Sequence, residues 1–361
     1  MLRTMSESQV LQRLLANAAE VISEDELRQR LASGDQLTHY IGFEISGHVH
    51  IGTGLMAGQV MKDLTDLGVQ CTIWLADWHS AINDKLDGTR QTAAKIGQGY
   101  FAEGIKASFA ALGGDPTDLE FRLTSEWYNK DQEKYWDLVR EVGSHTSLSR
   151  VLRSIDIMGR EAGDDVAWAK TMYPMMQAAD IFYQDLDIMH AGMDQRKIHV
   201  VVRDVANQVR PGTPKPVAIH HPLLPSLDGK NKEDKMSKSS PDAAVFVHDS
   251  PDEIERKIGK AFAAEKDIEH NPVLAWAQHL LFWHRTEPFT IERKEEHGGT
   301  VSFSQFIELE AAYAAGDVHP MDLKSAVSRE LIELLAPVRE HFAKPEVAAM
   351  KAELDQVLEN R

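Results

Sequence analysis

Two stretches of the chain combine residue types that suit the binding of phosphate groups. The first, Ser46–Gly54 (SGHVHIGTG), follows a predicted strand and opens a predicted helix. A helix N-terminus presents unpaired N–H groups and a partial positive charge, and glycines let a nucleotide approach the backbone closely. The stretch is neither a Walker loop nor a dinucleotide fingerprint. On its own it is equally consistent with an ordinary glycine-rich turn between strand and helix.

The second stretch, Lys235–Ser239 (KMSKS), places two ammonium groups three residues apart beside two hydroxyl groups. This combination suits the negative charge of a departing pyrophosphate. It lies in the polar, lysine-rich segment 226–241, which we expect to be an exposed and mobile loop. A solvated lysine loop without a ligand is the alternative interpretation.

A third group of polar residues recurs at helical spacing within an apolar stretch. Tyr173, Gln177 and Asp180 stand at positions i, i+4 and i+7 of the run TMYPMMQAADI, which places them on one face of a helix. An amide and a carboxylate are costly to bury without partners, so we expect them to contact a polar ligand. A core helix whose polar stripe touches solvent is the alternative.

Composition restricts the class of protein that carries these motifs. The chain has 361 residues, a formal charge of −17 and no uninterrupted apolar run of the length, about 20 residues, that a membrane span requires. This length suits two domains, and the acidic balance restricts any contact with nucleic acid to local clusters of cations. The N-terminal residues lack the order of a signal peptide, so we expect a cytoplasmic protein with no membrane contact. The single cysteine, Cys71, is expected to be a buried, inert thiol.

Short β-rich runs alternate with helical patterns from residue 36 onward, which is typical of a parallel sheet covered by helices on both faces. The predicted strands are residues 36–45, 69–76, 119–123, 186–191 and 215–221. The predicted helices are Leu55–Leu67, Thr92–Leu112, Asp131–Val142, Ser147–Arg160, Pro174–Tyr183 and Gln195–Val209. We therefore predict an α/β fold, with a Rossmann-like, doubly wound parallel sheet in residues 1–240 and a mostly helical C-terminal domain in residues 242–361.

Taken together, these motifs make the chain resemble a known family. His50–Thr53 (HIGT) resembles the HIGH signature of class I aminoacyl-tRNA synthetases, and Lys235–Ser239 matches their KMSKS signature at every residue. Thr53 stands in place of the second signature histidine, so it can donate a hydrogen bond to a phosphate but carries no charge. Residues 173–180 resemble the Y-P-x-x-Q-x-x-D segment of tyrosyl-tRNA synthetases, and residues 319–324 (HPMDLK) resemble their anticodon-reading turn.

The resemblance to tyrosyl-tRNA synthetases of the archaeal and eukaryotic type implies a role for each group of residues. It assigns catalysis to His50, Thr53, Lys235 and Lys238. It assigns the L-tyrosine pocket to Tyr40, Tyr173, Gln177, Asp180 and Gln195, with Tyr40 and Asp180 at the phenol and the others at the amino end. It assigns ATP binding to Gly42, Glu44, Gly52, Met236, Ser237 and Ser239, and tRNA binding to Arg153, Arg196, His319 and Asp322.

The same resemblance implies a reaction in two steps. The carboxylate of tyrosine attacks the α-phosphorus of ATP, giving tyrosyl-adenylate and pyrophosphate, and the tyrosyl group then passes to the 3′ end of tRNA(Tyr). Mg²⁺ accompanies the ATP phosphates, and we expect no metal site made by the protein itself. A homodimer is expected, with its surface within an insertion at about 113–165 and the amphipathic segment Asp131–Val142 as the candidate.

Three other functions remain open on the sequence alone. A tryptophanyl-tRNA synthetase would share both nucleotide motifs, although an indole offers only a donor and does not need the Tyr40–Asp180 pair. A catalytically silent RNA-binding paralogue is disfavoured by the intact lysine pair. A nucleotidyltransferase that makes a small adenylate without tRNA is disfavoured by the long helical region after Pro241.

Overall fold

A six-stranded sheet forms the centre of the fold in the computed structural model, which describes residues 5–159, 167–229 and 243–360. Its strands are β1 (Glu20–Ile22), β2 (Thr38–Phe43), β3 (Gln70–Leu75), β4 (Leu119–Leu123), β5 (Ile188–Gly192) and β6 (Val217–His221). A separate antiparallel pair consists of β7 (Phe289–Ile291) and β8 (Val301–Phe303).

The order of the strands, β1-β6-β5-β2-β3-β4, reverses direction at the middle of the sheet. From β2 the chain moves outward through β3 and β4, and it then returns to the other side of β2 to form β5 and β6. These five strands are parallel to one another. In open α/β sheets of this kind a ligand crevice forms where the order reverses, which here is at the carboxyl ends of β2 and β5.

Helices cover both faces of the sheet and dominate the C-terminal part of the chain. In chain order they are α1 (Glu7–Asn17), α2 (Glu24–Ser33), α3 (Ala57–Asp66), α4 (Asp77–Ile82), α5 (Arg90–Ile96), α6 (Ala102–Ala111), α7 (Thr124–Tyr128), α8 (Gln132–Ser144), α9 (Leu148–Arg153), α10 (Trp168–Gln184), α11 (Arg196–Val209), α12 (Pro251–Lys260), α13 (Pro272–Trp276), α14 (Phe306–Ala315), α15 (Pro320–Leu334), α16 (Ala336–Phe342) and α17 (Pro345–Glu359). No helix among the described residues is long and apolar enough to cross a membrane.

The predicted Rossmann-like sheet with a helical C-terminal part is confirmed, and the differences are local. Strand β1 was not predicted, because its three partly exposed residues carry no pattern and pair antiparallel with β6 only through tertiary contact. Helix α10 begins at Trp168, so Pro174 is an interior residue rather than the first one. The predicted helix Thr92–Leu112 is divided into α5 and α6 by a wide turn, in which Gly99 leaves helical geometry. The predicted domain boundary near 241 lies outside the described residues.

Two apolar cores lie on opposite faces of the sheet, as the alternation of side chains along a strand requires. On one face, Ile41 and Ile73 belong to a core that continues without a break to Trp276 and Leu331 of the C-terminal region. On the other face, residues such as Trp74 pack against α8, α10 and α11. The first of these two cores is therefore shared by the sheet and the C-terminal helices.

A buried carboxylate joins the N-terminal helix, the sheet region and the C-terminal region. Asp63 on α3 is fully buried. It accepts hydrogen bonds from Nε of Arg13 on α1 at 2.8 Å and from Nε1 of Trp283 at 2.8 Å, and Nε2 of His284 lies 3.0 Å away. These donors offset the cost of burying the charge, and they hold together three segments that are distant in the chain.

We predict that Asp63→Ala lowers the free energy of unfolding by about 3–5 kcal/mol, because it leaves a largely buried guanidinium and an indole N–H without their acceptor. Asp66 on the same helix provides the matched control, since its partly exposed carboxylate pairs with Lys62 and lies 3.6 Å from Arg13, a looser contact than the one Asp63 makes. Asp66→Ala should cost less than about 1 kcal/mol. Urea denaturation followed by circular dichroism measures both variants. Equal losses would contradict the stabilising role of the buried carboxylate.

Candidate active site

A cavity of about 700 Å³ opens at the carboxyl ends of β2 and β5, where the strand order reverses. Its volume lies within the range of small-molecule sites, roughly 300–1,000 Å³. The turn after β2, helix α10 and the segment after β5 supply much of its wall. The sequence-predicted residues that line it are Tyr40, Gly42, Glu44, His50, Gly52, Thr53, Tyr173, Gln177, Asp180 and Gln195.

The carboxyl group of Asp180 lies on the cavity wall and is only 1% exposed. Its Oδ2 accepts a hydrogen bond from Nε1 of Trp74 at 3.0 Å, and its Oδ1 accepts one from the hydroxyl of Tyr128 at 2.6 Å. Burial raises the pKa of Asp180 to about 7, although these two hydrogen bonds act in the opposite direction. An additional donor supplied by a ligand would favour the ionised carboxylate.

Tyr40 lies beside Asp180, on the same face of β2 as Gly42. A Cβ atom at Gly42 would lie 2.5 Å from the hydroxyl oxygen of Tyr40, so a larger residue at this position would displace the tyrosine. Burial raises the pKa of Tyr40 well above its ordinary value, and the Asp180 carboxylate raises it further. The hydroxyl therefore keeps its proton and can act as a donor or an acceptor in the cavity.

Gln177 and Gln195 form an amide pair on another part of the wall. Nε2 of Gln177 donates to Oε1 of Gln195 at 3.2 Å, and Nε2 of Gln195 donates to the carbonyl of Ile157 at 3.0 Å. Oε1 of Gln177 is buried and has no hydrogen-bond partner within the described part of the chain. Tyr173 lies one turn earlier on α10, and burial raises its pKa. The arrangement offers acceptors to a group that can only donate, such as an ammonium.

The candidate phosphate-binding stretch, Ser46–Gly54, forms a polar wall at the start of the helical segment that contains α3. A wide helical turn begins at Gly52, and the hydroxyl of Thr53 lies 3.1 Å from Nε2 of His50. A Cβ atom at Gly52 would lie 2.9 Å from Nδ1 of His50, so the imidazole occupies the space that a side chain would need. Glu44 follows β2 and accepts from Nδ2 of Asn83 at 2.7 Å. Imidazole, hydroxyl and helix N-terminus thus face one space, which suits phosphate.

Among the described residues, Arg153, Arg196, His319 and Asp322 do not line the cavity. Lys235, Met236, Ser237, Lys238 and Ser239 lie outside the described residues. Arg153 and Arg196 are exposed, and Arg196 is paired with Glu20 at 2.8 Å. His319 precedes α15, where its Nδ1 accepts from the backbone N–H of Met321, and Asp322 follows in the first helical turn.

Sequence reasoning missed the residues that surround Asp180. Trp74 and Tyr128, the two donors described above, come from β3 and α7. His79 of α4 is buried and lines the cavity, with its Nε2 3.8 Å from Oδ2 of Asp180. Burial lowers the pKa of His79 to about 3, so this imidazole is neutral. These residues resemble ordinary core positions in the sequence, and no local spacing connects them with Asp180.

A row of buried histidines, also missed, crosses three neighbouring strands. Nε2 of His39 on β2 lies 3.1 Å from Nδ1 of His190 on β5, whose Nε2 lies 2.8 Å from Nδ1 of His221 on β6. Burial lowers the pKa of each ring, so the row is uncharged at neutral pH. His221 lines the cavity, so this hydrogen-bonded chain of imidazoles ends at the candidate site.

The raised pKa of Asp180 predicts a pH dependence of stability in the protein without ligand. The carboxyl ionises near 3.8 in an unfolded chain and near 7 in the folded one, so a rise in pH between these values favours the unfolded state. The native protein should therefore lose stability between about pH 5 and pH 7, by at most about 1.4 kcal/mol per pH unit. The variant Asp180→Asn lacks this titrating group, so its unfolding free energy should rise relative to that of the native protein over the same range. Chemical denaturation across this range measures it, and a constant difference would contradict the raised pKa.

The amino-acid sequence matches a known family and named relatives. The family described as tRNA synthetases class I (W and Y) matches residues 32–336. A protein of Thermococcus kodakarensis named Tyrosine--tRNA ligase is 47% identical over 357 residues, which cover 93% of this chain and 95% of that protein.

Solved structures agree with the sequence comparison. The tyrosyl-tRNA synthetase of Pyrococcus horikoshii, complexed with L-tyrosine, has a TM-score of 0.90 and 42% identity, covering 96% of this chain and 100% of that one. The tyrosyl-tRNA synthetase of Aeropyrum pernix has a TM-score of 0.84 and 39% identity, covering 98% and 99%. The chain therefore belongs to the tyrosyl-tRNA synthetases, within the class I tRNA synthetase family that contains the tryptophan and tyrosine enzymes.

Proposed function

We propose that this chain is a tyrosine--tRNA ligase that acts in the cytoplasm. It activates L-tyrosine with ATP to tyrosyl-adenylate and pyrophosphate, and it transfers the tyrosyl group to the 3′ end of tRNA(Tyr). The observation that carries the proposal is the buried carboxyl group of Asp180 beside Tyr40, in the cavity where the strand order reverses. The names of the relatives support the same activity.

The pair of Tyr40 and Asp180 suits a phenol in particular. A phenol hydroxyl both donates and accepts, an ionised Asp180 can only accept, and Tyr40 can donate. The donors Trp74 and Tyr128 use part of the acceptor capacity of Asp180, which leaves lone pairs for a substrate hydroxyl. Phenylalanine would leave the remaining lone pairs of Asp180 and the hydroxyl of Tyr40 without this partner, and an indole would offer no acceptor to Tyr40. This difference favours tyrosine over the tryptophan alternative.

The opposite end of the substrate is assigned to the amide pair. Oε1 of Gln177 supplies one buried acceptor atom. The hydroxyl oxygen of Tyr173, which burial keeps protonated, supplies a second acceptor atom. Gln195 orients Gln177 through their hydrogen bond and belongs to the same subsite. An ammonium has three donors and no acceptor, so these oxygen atoms match it.

Activation requires positioning and charge stabilisation rather than a general base, because the tyrosine carboxylate is already a nucleophile near neutral pH. We assign this task to His50 and Thr53 together with Lys235 and Lys238. Gly42, Glu44, Gly52, Met236, Ser237 and Ser239 are assigned to ATP binding. Mg²⁺ enters with the ATP phosphates and is part of the substrate.

The tRNA and the second subunit are assigned to surfaces outside the cavity. Residues 242–361 form the anticodon-binding domain in this proposal, with His319 and Asp322 at the start of α15 as contact residues. Arg153 and Arg196, which are exposed, read the acceptor end. The homodimer surface is assigned to α8 and the start of α9, where Trp136 and Leu148 expose apolar area at 41% and 68%. Such exposed apolar side chains suit burial against a second copy.

ATP–pyrophosphate exchange with each of the twenty amino acids tests the proposed activity directly. We expect exchange that depends on tyrosine. Exchange that depends on tryptophan, or no exchange with any amino acid, would reject the proposal.

Asp180→Ala should reduce the selectivity for tyrosine over phenylalanine by about 2–4 kcal/mol, because the phenol loses a charged hydrogen-bond acceptor. The ratio of kcat/KM values for the two amino acids in pyrophosphate exchange measures this change. Asp185→Ala is the control, since Asp185 ends the same helix and pairs with Arg210 at the surface. Its selectivity should equal that of the native protein. Unchanged selectivity in Asp180→Ala would remove this residue from phenol recognition.

Arg196 can be tested against its own ion-pair partner. If Arg196 contacts tRNA, Arg196→Ala should slow tyrosyl transfer by at least about tenfold while pyrophosphate exchange changes little, as for the loss of a charged contact. Glu20→Gln breaks the charge pair but keeps the arginine, so transfer should be retained. Arg153→Ala should behave like Arg196→Ala. Equal defects in Arg196→Ala and Glu20→Gln would instead indicate that the ion pair has a structural role.

A further inference from the structure

The last helix of the chain packs against the sheet region rather than extending away from it. Val347 and Leu354 of α17 are buried. A Cβ atom at Gly99, in the wide turn between α5 and α6, would lie 3.7 Å from Met350 of α17. Glu353 of α17 forms an ion pair with Lys95 of α5. Apolar contact and an ion pair thus dock α17 against the α5–α6 segment.

The end of α17 reaches the phosphate-binding stretch. Oδ1 of Asp355 lies 2.7 Å from Nε2 of His48, which belongs to the stretch Ser46–Gly54. One turn earlier, Nζ of Lys351 donates to Oδ2 of Asp355 at 2.8 Å. Leu358 lines the same cavity as His48 and His50. The final turn of α17 therefore forms part of the wall at the nucleotide end of the site.

The carboxylate of Asp355 carries its charge at this contact. Burial acts to raise the pKa of Asp355, but the hydrogen bonds from Lys351 and His48 outweigh burial and lower it. An ionised carboxylate makes a stronger hydrogen bond to an imidazole than a neutral group does. The contact between His48 and Asp355 is therefore a charge-assisted hydrogen bond, which fixes the orientation of the two side chains.

The side chain of His48 also packs against aromatic residues, one of which is hydrogen-bonded to the backbone of the next residue. Its ring packs edge-on against Tyr100, Phe246 and His248, with centroid distances of 5.7, 5.1 and 5.2 Å. The backbone N–H of Val49 donates to the hydroxyl of Tyr100 at 3.0 Å. The His48 side chain thus contacts both α17 and the aromatic rings, and the backbone of the next residue is hydrogen-bonded to one of these rings.

We propose that Asp355 is a positioning residue for the nucleotide, acting through His48, and that the last turn of α17 completes the ATP end of the site. This inference rests on the proposed function, since it concerns the binding of ATP. Without the contact, the stretch Ser46–Gly54 loses a constraint, and ATP binding must supply the ordering that α17 supplies in the native protein. The residues assigned to tyrosine binding, Tyr40, Tyr173, Gln177, Asp180 and Gln195, belong to other elements than α17, so the affinity for tyrosine should be unaffected.

The experiment compares two carboxylates on the same helix. Asp355 and Glu353 are exposed to a similar extent, 34% and 35% of their side chains, and each pairs with a residue of the sheet region. Of these two carboxylates, Asp355 pairs with His48 of the stretch Ser46–Gly54, whereas Glu353 pairs with Lys95 of α5. Asp355→Ala should raise KM for ATP in pyrophosphate exchange by about tenfold and leave KM for tyrosine within about twofold. Glu353→Ala should leave both KM values within about twofold.

A double-mutant cycle with His48 separates positioning from general stability. If Asp355 acts through His48, adding Asp355→Ala to His48→Asn should raise KM for ATP no further. The proposal is overturned if Asp355→Ala leaves KM for ATP unchanged, if Glu353→Ala raises it equally, or if the effects of the two substitutions add. Native protein without tyrosine-dependent exchange would overturn the proposed function instead. Thermal unfolding of each variant checks that the fold is retained.

Discussion

The buried carboxyl group of Asp180 is the constraint on which the arrangement of the site depends. A charge in the protein interior costs several kcal/mol unless donors surround it. Trp74 and Tyr128 supply these donors, and each comes from an element other than the helix that carries Asp180. The positions of β3, α7 and α10 are therefore tied to one another at the point where a substrate hydroxyl would bind. Burial still raises the pKa of Asp180 to about 7, so these two hydrogen bonds offset only part of the cost of burying its charge.

The topology of the sheet decides where this carboxylate meets the other functional groups. Because the strand order reverses between β2 and β5, the segments after these strands diverge and leave a cavity between them. The stretch Ser46–Gly54 follows β2, and Gln195 follows β5, so both face the same cavity. Groups that suit a phosphate and groups that suit a small polar ligand therefore line one cavity, although β2, α10 and the segment after β5 are distant from one another in the chain.

The C-terminal helices are part of the same structure rather than an appended unit. One apolar core runs from the sheet to these helices, and Asp63 of α3 accepts hydrogen bonds from Trp283 of the C-terminal region and from Arg13 of the N-terminal helix α1. Asp355 adds a polar contact at the nucleotide end of the cavity. A segment that lies far from the signature motifs in the chain therefore helps to determine the geometry of one of them. This packing connects the helical region physically to the cavity.

The sequence by itself determined the features that lie within one element. The spacing of Tyr173, Gln177 and Asp180 on one helix face, the strand and helix alternation, and the motifs at His50–Thr53 and Lys235–Ser239 are all local patterns, so the order of the residues is enough to reveal them. The tertiary structure alone decided the edge strand β1, the donors to Asp180, the histidine row and the contact between His48 and Asp355. These depend on pairs that are distant in the chain, 307 residues apart for His48 and Asp355, and no periodicity encodes which of them will meet.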